Sequence, residues 1–586
     1  MMEHKSGLPT RLFIKMFPIF MLLSTLGGLN SLVDSIIAGK MIGVNGIEAI
    51  GFFFPINCIL IAIGNALQGG SQIKCGNLLG RNNLDRSNSV FTLDITASFV
   101  ISGTITAVCL LAPRQIANLL GASGSSVDWL ADYIRGMAPS FIPTMICSQA
   151  SAFLQMDNAE KRSYVGIAFM TVTNAVLDVV FLKKYNMGLY GLGISSFFAY
   201  IVFLLILMPH YLSRKHTIRL DFRHLQIKDL GEVIKLGSPG ALLFMCLFCR
   251  SVLINTLLFR YSGGDAVAAF AACSSFAFII FAASNGTIDN TRVLSSIYAG
   301  EHDRTSLLET VRVAMTLGLG TSVLFMVVIS VFARQIAGFF FTADEVNAIN
   351  LTAGSLRCMS AYMIFQCFNL TIANNLQSRG FIKFPLVVTF VDGFLMVSIA
   401  SVILIPLLGA DGGWLAFVAD GIGSAIFVLS FISFKIRRIP RSYADLIALP
   451  DNFGTPENRR VDLTIHSMEE VSDTADYVMD FCIERGIPRK RAYHIAVCLE
   501  EMAGNIVRHG FTDNKKHTID IRVVCKSNNL VLRISDDCIS FNPKQFAEMM
   551  DNSDPVSNIG IRLVASVAKD FRYKRILGLN VLTIKV

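Results

Sequence analysis

The chain changes solvent near residue 440. Before that point it is a series of long apolar stretches; after it, up to Val586, the residues have the mixed pattern of a domain in water. Ile194 to Pro209 holds no charged residue, a composition that hydrocarbon accepts far better than water does. The tail sets Glu500, Glu501, Arg508 and Asp513 in one short span, which a bilayer would take up only at high cost. Two machines are joined, one for lipid and one for water.

Only 16% of the 586 residues are charged and 53% are hydrophobic, where soluble domains carry about 25% charged residues. The net charge of +8 does not form a patch, because the basic residues fall in the short gaps between apolar stretches. Nucleic acid is excluded as a partner on that pattern. The thirteen cysteines are scattered, and Cys246-x-x-Cys249 lies inside an apolar run without a second pair at zinc spacing. The opening residues lead into a full-length apolar segment without a cleavage site, so a retained first span is expected.

Counting stretches of about 20 apolar residues gives twelve spans. An even number puts both termini on one side. The basic turns, among them Lys74/Arg81/Arg86, Arg214 to Lys235, Arg379/Lys383 and Lys435/Arg437/Arg438/Arg441, fall on that side. The positive-inside rule makes it cytoplasmic, although Lys183 and Lys184 sit outside. The expected location is the plasma (inner) membrane, multi-pass.

The apolar part repeats itself at an offset of about 221 residues. Pro18 pairs with Pro239, Gly43 with Gly264, Arg135 with Arg357, Gln155 with Gln377 and Gly191 with Gly412. Six spans per repeat predict two like-oriented lobes around a cavity that opens to each side in turn; a channel or an inert duplication is the alternative. The expected domains are 1–222 and 223–440 for the lobes, 441–460 for a linker and 461–586 for the soluble part.

Carboxylates inside spans need a cavity, a partner or a bound cation. Asp34, Asp94, Asp178, Asp289, Asp392 and Asp420 are of this kind. Asp34 and Asp178 fall near the outer ends of two outward spans, and Asn174 is one helical turn from Asp178. Ser195 and Ser196 open the next span at the same depth. An oxygen-rich set like this suits a proton or a hard cation, unless the carboxylates only cap helix ends. Arg250, Asp289 and Arg292 are expected to pair in the second lobe.

The run Pro18…Asp34…Gly39…Gly43…Ala49…Pro55, with "GGSQIKCGNLLGRNN" and "NAVLDVVF", resembles the multidrug and toxic compound extrusion (MATE) transporters over about residues 8–440. The resemblance implies cation-coupled antiport, with Na⁺ or H⁺ entering as small organic cations leave. It makes Asp34, Asn174, Asp178 and Ser196 the ion-coupling set. One departure is "QMDNAEKRS" after the fourth span, where the family often has a Gly-rich turn.

In the tail, Val461 to Ile465 reads as a strand and Ser467 to Arg485 as a helix, with Ser467 as cap and Glu470 at capping-box spacing. A second helix over Pro488–His509, strands near 517–525 and 530–535, a helix near 558–570 and two last strands complete an α+β sandwich. Glu501 and Asn505 share a helix face, where a carboxylate can orient water and an amide oxygen can help hold Mg²⁺. Asp536 follows a buried strand and can accept from an adenine amino group, and Gly560 opens a helix toward phosphate. This ordered set resembles the GHKL ATPases, and among them the anti-sigma-factor serine kinases. It implies ATP binding, Glu501 as the catalytic carboxylate, Thr583 on the adenine side and a STAS-type or other regulatory partner. Cys538 and Asn558 stand where that family has glycines.

No G-x-x-x-x-G-K-[ST] occurs, so the engine of ATP-driven pumps is missing. ATP is then expected to regulate transport or to signal. The alternative is a membrane-tethered serine kinase or anti-sigma-type regulator with the transporter half as sensor. A sensor histidine kinase fails because His466, the one histidine between 440 and 490, ends a strand.

Overall fold

The computed structural model describes residues 7–586 except 43, 82, 121, 123–125, 158, 214–215, 224, 342–344, 513–515, 526–529, 540 and 544–558; side chains in much of 26–51, Asp34 among them, are also outside the description. The helical domain opens with α1 (Leu8–Met41) and α2 (Val44–Gly80), followed by α3 (Leu84–Leu111) and the short α4 (Pro113–Leu119). A 3₁₀ turn at Ala138–Ser140 joins α5 (Ser126–Met137) to α6 (Phe141–Leu154), and α7 (Glu160–Lys183) and α8 (Gly188–Leu212) close the first half. The second half holds α9 (Asp229–Ser262), α10 (Gly264–Ile280), α11 (Ala282–Gly300), α12 (Arg304–Val313), α13 (Leu319–Ala337), α14 (Val346–Ser378), α15 (Lys383–Phe390), α16 (Met396–Leu408) and α17 (Ala410–Ile436). One π-helical turn joins α12 to α13, and another, holding Asp392, joins α15 to α16.

Among the described residues, seven helical runs are long and apolar enough to cross a bilayer: α3, α7, α8, α9, α12–α13, α15–α16 and α17. Their outward faces carry exposed Val172, Leu205, Val331 and Ile426, the sign of an exterior solvated by lipid rather than water. The two halves meet where backbones touch. A Cβ on Gly237 of α9 would lie 1.7 Å from the Ala66 carbonyl oxygen of α2, and one on Gly300 of α11 would lie 2.2 Å from that of Asn77. Only glycine permits these crossings. Around them Asn290 donates to the Phe13 carbonyl at 2.9 Å, and Lys74 pairs with Asp229 at 3.0 Å.

The stretch after α17 packs on the helices rather than dangling. Ser442 caps α18 (Tyr443–Leu446), Ile447 is fully buried, and Arg304 hydrogen-bonds the Pro450 carbonyl at 2.5 Å. Five antiparallel strands follow, β1 (Arg460–Ile465), β2 (Ile519–Cys525), β3 (Leu530–Asp536), β4 (Asp570–Ile576) and β5 (Leu579–Lys585), in the order β1-β2-β3-β5-β4. Alternation decides the two faces. Ile519, Ile521, Val523, Leu530, Leu532, Ile534, Leu582 and Ile584 form a core with α19 (Glu469–Glu484), α20 (Arg489–Gly510) and α21 (Ile559–Val567). Ser467 is not the cap of α19: the helix starts at Glu469 after Met468, and Glu470 instead accepts from the His466 backbone at 2.7 Å.

The other sheet face lies against the helical domain. Asp520 pairs with Arg11 of α1 at 2.6 Å, and Arg460 and Arg522 both reach Asp303, between α11 and α12. Arg533 meets Glu301, with Lys574 3.7 Å away on the same carboxylate. The β4–β5 turn touches the first half of the domain: Leu577 donates its amide to the Met156 carbonyl at 3.0 Å, and Thr217 donates to the Arg575 carbonyl at 2.5 Å.

Candidate functional site

Two clusters answer to the expected sites. In the helical domain, α7 and α8 bring Asn174, Asp178 and Ser195 together, each fully buried. The Ser195 hydroxyl donates to Asp178, and Asn174 donates to Ser195 at 3.2 Å and to Asp178 at 3.5 Å. Asp178 Oδ2 and Asn174 Oδ1 are buried without a partner among the described residues. Ser196 was the expected hydroxyl, but the next residue on a helix is about 100° round the axis. It is buried and makes no hydrogen bond to this pair among the described residues. The Asp34 backbone belongs to α1; its side chain is outside the described residues.

In the second half, Asp289 pairs with Arg292 at 2.9 Å, and Arg292 reaches Gln72 of α2 at 3.0 Å. Arg250 does not join them; it lies over the Phe417 ring. Asp392, in the π-helical turn, accepts from Asn369 at 2.8 Å and from Tyr362 at 3.2 Å. Asp420 accepts from Ser424 at 3.1 Å, and its other oxygen has no partner among the described residues.

In the C-terminal domain, α20 carries Glu501 and Asn505. A Cβ on Gly560 would lie 2.0 Å from Glu501 Oε2, so the carboxylate fills the space left by the missing side chain at the start of α21. Asp536 ends β3 on the helix-covered face, 5% exposed. Burial raises its carboxyl above the usual range, opposed by hydrogen bonds from Asn580 at 2.7 Å and the Cys538 amide at 3.0 Å. Register corrects one expectation. Asp536 is opposite Asn580, and Ile534 opposite Leu582, whereas Thr583 is opposite Arg533 on the face that docks to the helices. An odd step along a strand reverses the face, so Asn580 and not Thr583 stands beside Asp536. The turn with Cys538 lies against α20, whose Gly510 would put a Cβ 2.8 Å from Cys538 Sγ; Asn558 is outside the described residues.

The docking face is strongly charged and dry. The Asp303 side chain is 3% exposed, Arg460 8% and Arg522 15%. Burial alone would raise the Asp303 carboxyl, but Arg522 and Arg460 hold it well below the usual carboxylate range. Burial pushes the Lys574 ammonium down to about 8, although Glu301 works against the shift.

Comparison with known proteins assigns the two parts. The MatE family profile matches residues 20–180 and 239–403. The chain belongs to the MatE family. The profile of the histidine kinase-like ATPase domain matches residues 466–586 of this MATE protein, which is therefore a membrane transporter carrying an ATPase-type domain. Over 444 residues it is 24% identical to the probable multidrug resistance protein YoeA of Bacillus subtilis, covering 73% of this chain and 95% of that one. It is 22% identical over 443 residues to the multidrug export protein MepA of Staphylococcus haemolyticus, with the same coverages. Among solved structures, an outward-facing multidrug resistance MATE transporter superposes with a TM-score of 0.68 at 19% identity, covering 75% of this chain and 96% of that one. That likeness establishes the fold alone.

Proposed function

We propose that this MATE protein is an antiporter that admits protons or sodium and expels drug-like or metabolite organic cations by alternating access. The carrying observation is the buried Asn174–Asp178–Ser195 set, two of whose oxygens have no partner among the described residues. A carboxylate in hydrocarbon is stable only when paired, protonated or bound to a cation. The set can therefore trade a small cation or a proton against a change of conformation. Asp34 is proposed as its second carboxylate. The relatives, a probable multidrug resistance protein and a multidrug export protein, support export of drug-like organic compounds. Substrate cations would enter between two six-span lobes, residues 1–222 and 223–440, with both termini in the cytoplasm as the basic turns require.

After a linker at 441–460, residues 461–586 are proposed to bind ATP. Glu501 would orient a water, Asp536 with Asn580 would face the adenine, and the start of α21 at Gly560 would face phosphate. The fit for nucleotide is the buried Asp536 with amide donors beside it, and Gly560, whose bare backbone leaves room for the Glu501 carboxylate at the start of α21. Mg²⁺, if held, would be held by Asn505 and would neutralise phosphate charge. Regulation of the chain's own transporter is favoured over a free anti-sigma-type kinase with a STAS-type partner, because the open sheet face is already covered by the helical domain. The route is short: Asn580, bonded to Asp536, is the register partner of Arg575, whose carbonyl accepts from Thr217.

Asp178→Asn tests the transport site. The substitution keeps shape and removes the ionisable group, so ion-driven efflux by everted vesicles should vanish while the protein stays in the membrane. Efflux at the original rate would remove the proposal.

A further inference from the structure

We propose that the sheet face of the C-terminal domain is a clamp on the transporter's gate, seated across the crossing of α2 and α11 so that the two lobes cannot part on that side while it is docked. The inference rests on the alternating-access reading above and adds the device that controls it.

At this crossing, as where α2 meets α9, the halves touch backbone to backbone. A Cβ on Gly80 would lie 2.3 Å from the Ile297 carbonyl oxygen, and one on Gly300 2.2 Å from that of Asn77. The sheet reaches both helices at that point. Lys574, 3% exposed, donates to the carbonyl of Leu79 at the end of α2 at 2.5 Å and lies 3.7 Å from Glu301, which follows α11. One ammonium thus bridges the first and the second half. Parting Leu79 from Glu301 would strip the buried Lys574 ammonium of one of its two partners, which is costly. Further contacts span the same line. Arg11, Met156 and Thr217 hold the sheet from the first half, and Glu301, Asp303 and Ser306 hold it from the second.

Charge explains why the sheet seats in this register. The turns Gly80-Arg81-Asn82-Asn83 and Gly300-Glu301-His302-Asp303 are equivalent in the internal repeat. Asn83 caps α3 by accepting from the amide three residues on, and Asp303 caps α12 in the same way. The cap is neutral in one copy and ionised in the other, and Arg81 is replaced by Glu301. The sheet face pairs Arg460, Arg522 and Arg533 with the acidic copy, and Lys574 lies between its Glu301 and the Leu79 carbonyl of the other. A cap needs only an oxygen, so Asn would serve at 303 as it does at 83. The second carboxylate serves the sheet.

The test uses the full-length protein in everted vesicles, with Ser296→Cys as reporter. Ser296 is fully buried against Gly76 at the same crossing and becomes accessible only when the halves separate. A membrane-impermeant maleimide is applied from the soluble-domain side, and modification is read at residue 296 by peptide mass. Lys574→Glu releases the clamp from the sheet and Asp303→Asn from the transporter. Each should speed labelling by about tenfold or more, as a locked equilibrium shifts toward the open state. Hydrogen exchange at the Leu577 amide reports docking in the same samples. Labelling that stays slow after that amide has become free to exchange overturns the clamp. So does a failure of either substitution to free it, since the ion pairs then do not hold the face. Absence of efflux would refute transport without altering these labelling rates, so the two readings fail separately.

Discussion

Replacing Asp303 by Asn removes one charge from the docking face and little else. The asparagine keeps an oxygen for the Ser306 amide, now 3.1 Å away, so α12 should keep its cap. Arg460 and Arg522 lose a shared partner and are left with Asp462, at 2.5 and 2.6 Å. Removing one member of a buried ion pair costs about 3–5 kcal/mol. The remaining carboxylate argues for the low end, about 3 kcal/mol, a factor of roughly 150 in the docking equilibrium. Hydrogen–deuterium exchange reads this directly, because the Leu577 amide is held by the Met156 carbonyl across the interface. Its exchange should accelerate by about that factor, while core amides of β2 such as Ile521 keep their rates. An unchanged Leu577 rate in a folded variant would refute the claim that these ion pairs hold the domain.

Raising pH should tighten docking. The docked Lys574 ammonium titrates near 8 because burial disfavours its charge, with Glu301 and Arg533 as its charged neighbours, whereas a free lysine titrates near 10.4. Between those values the released state binds more protons, so Leu577 protection should grow by about 2 kcal/mol from about pH 7.5 to 9.5, and Lys574→Met should flatten the trend. Asn580→Ala should weaken ADP binding about tenfold through loss of the amide on Asp536, and Thr583→Ala should change it by less than about twofold; calorimetry giving the reverse order would return the adenine side to Thr583. Gly237→Ala puts a methyl against the Ala66 carbonyl and should lower stability by roughly 1–3 kcal/mol, seen as a lower unfolding temperature in detergent. An unchanged midpoint would mean that the helices do not cross there.

The division into a lipid part and a water part was legible because composition alone reports the solvent. The strands of the tail were legible too, since Ile519, Ile521 and Val523 alternate with Asp520 and Arg522. What escaped was phase within a correctly read element. Ser195 and Ser196 are equal as letters, and only the turn of α8 decides which hydroxyl meets Asp178. Thr583 and Asn580 lie in one strand, and only its register against β3 tells which faces Asp536. The helix of Ser467 begins two residues later because Glu470 binds the His466 amide instead of closing a capping box. The docking face was not legible at all. Asp303 reads as an ordinary cap, and its arginines stand 157 and 219 residues away, beyond any local pattern.

The most direct test of the whole account is substrate efflux by everted vesicles under an imposed proton or sodium gradient, with ATP absent and then present. A gradient of one of these ions should drive export without ATP, and nucleotide should change only its rate. Export that needs ATP and ignores both gradients would contradict the account.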